Sequence, residues 1–216
     1  MTCYINTYRP LINNRFGKQA QQKHRHPPFA DASCRREPDF ESEFPSISAL
    51  CRAHMFAPRL HEGDRVIYLT KKGSGIKGMR HLVAALEVVS RFENHKNASA
   101  WYLQRGLPIP SNCLVRGNEP LSIDHTDHHQ KNVELWDLSY QLRARKNGTF
   151  LVCKSIAKEL YDPRAISDNE LRSIFGRIPA TRTPPAVKNV EFEDLLSFFT
   201  KPQLLGCSSS GSIGWP

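Results

Sequence analysis

The first burst of apolar residues, TCYINTY over Thr2–Tyr8, mixes β-branched and aromatic side chains and predicts a strand. Residues 9–28 are polar and basic with no repeating apolar position, which predicts a loop or mobile arm. In PSISALCR, Ile47, Leu50 and Cys51 recur at helical spacing behind Ser46, a fitting N-cap, and predict a short helix. Gly63 and Asp64 then turn the chain into the compact apolar run Val66–Leu69, a strand that stops at the basic segment KKGSGIKGMR. Residues 81–90 fit either period: Leu82, Leu86 and Val89 suit a helix, whereas Leu82, Ala84, Leu86 and Val88 suit a strand.

Further along, ASAWYLQRG reads as a helix closed by Gly106, and prolines make residues 107–120 irregular. Asn147-Gly148, set between the alternating YQLRAR and the apolar FLVC, gives a turn signal and predicts a hairpin over Trp136–Cys153. Short helices are expected at 154–160 and at 168–175, where Ser167 and Glu170 form a capping box and Gly176 a stop. The last helix, EFEDLLSFFT, places Phe192, Leu195, Leu196 and Phe199 on one face, and residues 201–216 read as a flexible tail. These elements predict an α+β protein with a small mixed or antiparallel sheet, in one domain over residues 1–200.

Composition narrows the partner. Of 216 residues, 39% are hydrophobic and 24% charged, the balance of a chain that folds. There is no run of about 18 apolar residues and no apolar leader behind Met1, so the cytosol is the expected compartment and no membrane partner is expected. Six scattered cysteines in a chain of this length are expected as reduced thiols. Thirty Lys and Arg against 21 Asp and Glu leave a net charge of +9, which attracts polyanions and makes nucleic acid, DNA or RNA, the leading partner. Residues 1–36 alone hold seven basic side chains against the single Asp31. A second cluster puts Lys71, Lys72, Lys77 and Arg80 among Gly73, Gly75 and Gly78, where small residues let backbone amides approach an oxyanion.

The order of these features, an opening strand, a cysteine-bearing loop, HEGDRVIYLT, a basic loop, LVAALEV and an aromatic helix, resembles the PUA-like superfamily. The likeness is to the nucleotide modification associated branch of bacterial and phage proteins, akin to the EVE, ASCH and YTH domains. It implies a small β-barrel flanked by short helices, a strand over 81–90, and a nucleobase, plain or modified, held in a concave pocket of the barrel.

Three constellations are candidates for the chemistry. In FADASCRREPDFESEFPSISALCR, Arg35 and Arg36 have the chemistry to hold phosphate or a base edge, while Asp31, Glu37 or Asp39 can accept from exocyclic amines, with Ser33 and Cys34 between them. The same residues serve equally as an internal salt-bridge network that ties an irregular loop to the sheet. Trp101, Tyr102, Trp136 and Tyr140 are available either to stack on a base or to pack the core. His125, His128 and His129 with Asp124 and Asp127 are metal-ligand types without a zinc spacing, so no cofactor is expected, and zinc or magnesium are the ions these residue types would admit. The favoured reading is a non-enzymatic binder of a base. Its rival is an enzyme on nucleic acid, either a base modifier or a nuclease in which Asp39, Glu41, Asp64 and Glu87 hold a metal beside Lys71 or Lys72. A module that docks an acidic protein is the third class.

Overall fold

The computed structural model describes residues 1–50, 55–127, 132–180 and 183–200. Its strands are β1 (Cys3–Tyr8), β2 (Ser46–Ser48), β3 (Arg65–Thr70), β4 (Arg80–Phe92), β5 (Phe150–Lys158), β6 (Ala165–Ile166) and β7 (Ala186–Val187). Its helices are α1 (Arg15–His24), α2 (His95–Leu103), α3 (Val133–Lys146), α4 (Asp168–Phe175) and α5 (Asn189–Leu196). The seven strands make one mixed sheet in the order β2-β5-β4-β3-β1-β7, with β6 added to β4. The expected α+β class is found, but the sheet is open and does not close into a barrel.

β1 runs parallel to β3, from Cys3 opposite Arg65 to Tyr8 opposite Thr70. The 13-residue β4 returns antiparallel along β3 and then continues beside β5. Both sheet faces are covered, which is why Val66–Leu69 reads as a continuous apolar run rather than an alternating one. On one face Tyr4, Tyr8, Val66 and Tyr68 pack with Phe29, Phe40, Phe56 and Leu60 from the irregular segments. On the other, Cys3, Ile5, Ile67 and Leu69 meet Leu171 of α4 and Phe192 and Leu195 of α5. The α2 residues Ala98 and Tyr102 bury against Phe150 and Val152 of β5.

Four expected elements differ. Residues 9–28 are not an arm: they form a 3-10 turn and α1, capped by Asn14, whose side chain accepts from the Gly17 amide at 3.0 Å. Only Gly17 and Ala20 of this helix are buried, and a Cβ on Gly17 would lie 1.9 Å from the Leu11 carbonyl oxygen, so glycine is what lets the helix dock. Ser46–Ser48 is a strand paired with Phe150–Val152 rather than the start of a helix. The expected hairpin is α3 followed by β5, and Gly148 serves close packing, since a Cβ there would lie 2.6 Å from the Glu93 carbonyl oxygen. The expected helix at 154–160 is the second half of β5. The tail over 201–216 lies outside the described residues.

The capping box is in place: Ser167 Oγ accepts from the Glu170 amide at 3.2 Å, and the Glu170 carboxylate accepts from the Ser167 amide at 2.7 Å. Ser167→Ala is expected to cost about 1 kcal/mol in urea unfolding, the usual worth of an N-cap. An unchanged midpoint would show that this cap is idle.

Candidate functional site

The segment that follows α1 bridges Pro10, just beyond β1, through Asp31 and packs Phe29 and Phe40 on the Tyr8 and Tyr68 face of the sheet, and its own polar and charged residues hold it there. Asp31 is buried, and its Oδ1 accepts from the amides of Ser33 (2.9 Å) and Glu37 (3.0 Å) and from the Ser33 hydroxyl. Glu37, also buried, accepts from the Ser48 amide (3.0 Å), the Ser48 hydroxyl (2.5 Å) and Asn112 Nδ2 (2.9 Å). Asp39 accepts from the amides of Glu41 and Ser42 with one oxygen and from the Ser111 amide and hydroxyl with the other.

Arg35 and Arg36 are both buried, and most of their donors are used within the protein. Arg35, 3% exposed, donates through Nε to Asp137 at 2.5 Å and through Nη1 to the Ser111 and Asn118 carbonyls. Arg36 is 1% exposed and donates to Glu41, to the Asp31 and Ser33 carbonyls and to the His125 carbonyl. Arg36, with all three nitrogens engaged, is a clamp as in the internal-network reading, whereas Arg35 is held through Nε and Nη1 and its Nη2 has no partner among the described residues.

Beneath this loop lies a cavity of about 220 Å³. Its sheet wall is Asn6 and Tyr8 of β1, Tyr68 of β3 and Ser48 of β2, and its loop wall is Asp31, Ser33 and Glu37. Phe56 and Tyr140 add aromatic surface, and the exposed Lys71 borders it. Thus Asp31, Ser33 and Glu37 line the cavity as expected of a pocket, whereas Cys34, Asp39, Trp101 and Tyr102 do not. Cys34 packs on Leu50 and Tyr140, and burial pushes its thiol up to about 11. The Tyr102 hydroxyl donates to the Phe44 carbonyl at 2.8 Å, and Trp101 packs on the Phe44 ring under the Arg105 guanidinium, so both are committed to the α2 core.

Two polar groups in the cavity wall have capacity left. Asn6 Oδ1 accepts from the Thr7 amide at 2.8 Å, while its Nδ2 has no partner among the described residues. The Oδ2 of Asp31 likewise has none. Burial raises the Asp31 carboxyl to about 7, against the Ser33 donors and the Arg36 charge, so near neutrality it both donates and accepts. Glu37 is raised to about 8, again by burial first. The sequence did not single out Asn6, Tyr8 or Tyr68. The available signal was Asn6 itself, a polar residue facing inward on a strand otherwise buried along its length.

The basic loop divides. Lys72 and Arg80 both pair with Asp168 at the start of α4, whereas Lys71 and Lys77 are exposed and have no ion pair among the described residues. The acids of the nuclease reading are spoken for: Asp64 caps backbone amides of Thr2 and His61, Glu87 pairs with Lys154, and Glu41 faces Arg36 and His26. His125 meets His24, stacked at 3.6 Å, and His26, with ring nitrogens 2.7 Å apart, while Asp124 pairs with Lys23 and Asp127 with Arg9. His128 and His129 lie outside the described residues, and among those described no group of three His, Cys, Asp or Glu is arranged to hold a metal ion. No helix among them is long and apolar enough to cross a membrane.

Comparison of the chain with protein-family models, with curated proteins and with solved structures finds no match.

Proposed function

We propose that this is a nucleic-acid-binding protein of the PUA-like kind that takes one nucleobase, plain or modified, into the cavity beneath the Asp31–Pro38 loop without transforming it. The observation that carries the reading is the wall of that cavity: Tyr8, Tyr68, Phe56 and Tyr140 supply flat apolar surface, and Asn6 Nδ2 and Asp31 Oδ2 supply an amide donor and a carboxyl beside it. That pair suits the hydrogen-bonding edge of a heterocycle, as Asn and Asp serve in base readout. At about 220 Å³ the cavity is below the roughly 300–1,000 Å³ of drug-sized sites, a size for one ring system rather than a whole nucleotide. Lys71 at its border and the net charge of +9 favour a polyanion around that base. The PUA-like assignment rests on the order of features along the sequence, and the closed barrel which that resemblance implied is not part of the proposal.

The test is a binding screen of short oligonucleotides with and without modified bases. Lys71→Ala is expected to weaken every sequence alike and to reduce the salt slope by about 1. Asn6→Leu is expected to remove about 1–3 kcal/mol of discrimination between bases while leaving the salt slope intact. Discrimination unchanged in Asn6→Leu would sink the pocket reading. A base-modifying enzyme is the second reading, favoured by Asp31, whose carboxyl near 7 in a cleft is poised for general acid–base work. Turnover of labelled DNA or RNA on incubation would establish it over the binder.

A further inference from the structure

The loop that walls the small cavity has a second side. There, Arg35 lines a separate groove of about 840 Å³, bounded by the first turn of α2, the 114–119 segment and α3. We propose that this groove binds an oxyanion of the phosphate class, gripped by His95, Arg35 and the first turn of α2.

His95 is the residue that points to a ligand. It is 5% exposed and lines the groove, and its Nδ1 accepts from the Leu114 amide at 3.0 Å. With Nδ1 used as an acceptor, the neutral ring carries its proton on Nε2. Burial, and then the nearby Arg35 charge, lower this imidazole to about 4, so at neutral pH it is a neutral ring with one N–H. That Nε2 is buried and has no hydrogen-bond partner among the described residues. A buried donor without an acceptor costs about 1–3 kcal/mol, and an oxyanion that displaces the atoms covering Nε2 from the groove would recover it.

The surroundings match an anion. Arg35 uses Nε and Nη1 within the protein, and its Nη2 has no partner among the described residues. Lys96, Arg116 and Arg145 also line the groove; all three are exposed, and none has an ion pair among the described residues. Against these four cations stand the carboxylates of Asp137 and Glu119. Asp137 is already committed, accepting from Arg35 Nε with one oxygen and from Gln141 Nε2 at 2.7 Å with the other. Asn94 caps α2 by accepting from the Asn97 amide, and the first amides of the helix add partial positive charge at the same end.

The groove is independent of the base cavity, so the two can be tested apart. The full chain is titrated with inorganic phosphate, with a 5′-mononucleotide and with a short single-stranded oligonucleotide, following the His95 ring nitrogens by NMR and affinity by calorimetry. Phosphate is expected to shift Nε2. His95→Asn keeps an oxygen for the Leu114 amide but no donor in the place of Nε2, and is expected to weaken phosphate binding by about tenfold or more, as for a hydrogen bond to a charged group. His95→Gln, which reaches further with an N–H, is expected to stay within about threefold of the parent chain. Lys96→Ala with Arg145→Ala, both on the surface, is expected to weaken binding without altering the fold. Competition by the oligonucleotide marks a backbone phosphate as the source, whereas competition by the mononucleotide alone marks a free one. Asn6→Leu leaves phosphate binding intact, and an oligonucleotide that fails while phosphate binds counts against the base reading only. Phosphate that leaves Nε2 unmoved, or that binds His95→Asn as well as the parent chain, overturns the proposal.

Discussion

Arg36→Met is expected to lower the unfolding free energy by about 3–5 kcal/mol, the range for removing one partner of a buried, hydrogen-bonded charge. Methionine keeps much of the length of the side chain and none of its donors. It would leave the carbonyls of Asp31, Ser33 and His125 unsatisfied in a buried place, and leave Glu41 without its cation. Arg36 also sits at φ 40°, in the left-handed region that is costly for a residue with a Cβ, and its hydrogen bonds offset that strain. Urea unfolding followed by circular dichroism measures the loss. A change below about 1 kcal/mol would mean that the loop is held by its carboxylates alone. If the cavity takes a base as proposed, the same variant is expected to blunt that binding, because Asp31 and Ser33 lose the clamp that sets the cavity wall.

Raising the pH from 6.5 to 8 is expected to cost the protein about 2 kcal/mol of stability. Asp31 and Glu37 keep their protons in the folded state up to about 7 and about 8, whereas the unfolded chain releases them near 3.8 and 4.5. Between those limits the folded state binds more protons, so stability falls as pH rises, by up to about 1.4 kcal/mol per pH unit for each group. His26 and His95 act in the opposite sense, since burial lowers both from 6.5 to about 4, and His81 and His125 move the same way. Below about 6.5 the histidines therefore counter the acids and the profile is flat or rising. Above it the acids act alone. In Glu37→Gln the fall between pH 7 and 8 should shrink to the smaller part due to Asp31, and parallel curves for the two proteins would show that Glu37 is ionised in the fold.

Much of the sheet and part of the site were legible from residues alone, and the exceptions share a cause. β1, β3, α2 and α4 announce themselves because each carries its own local signal, an apolar run, a cap or a stop. α1 was hidden because its docking face is Gly17 and Ala20, small residues that leave no apolar period. α3 was misread because Asn147-Gly148 outweighed the spacing of Val133, Trp136, Tyr140 and Ala144, the residues that pack it. β2 is a strand only because β5 lies beside it, a pairing between residues about a hundred positions apart. The cavity followed the same rule. Asp31, Ser33 and Glu37 were visible as a charged cluster, but Asn6, Tyr8 and Tyr68 join them only through the parallel pairing of β1 with β3.

That pairing also bears on how the chain is made. β1 has its two neighbours at Arg65–Thr70 and at Ala186–Val187, the second of them far along the sequence from it. Until Ala186 and Val187 pair with Tyr4 and Cys3, that part of the β1 edge offers unpaired amides and carbonyls to any passing strand. A chain interrupted before Ala186 is therefore expected to carry an open β1 edge and to associate strand to strand.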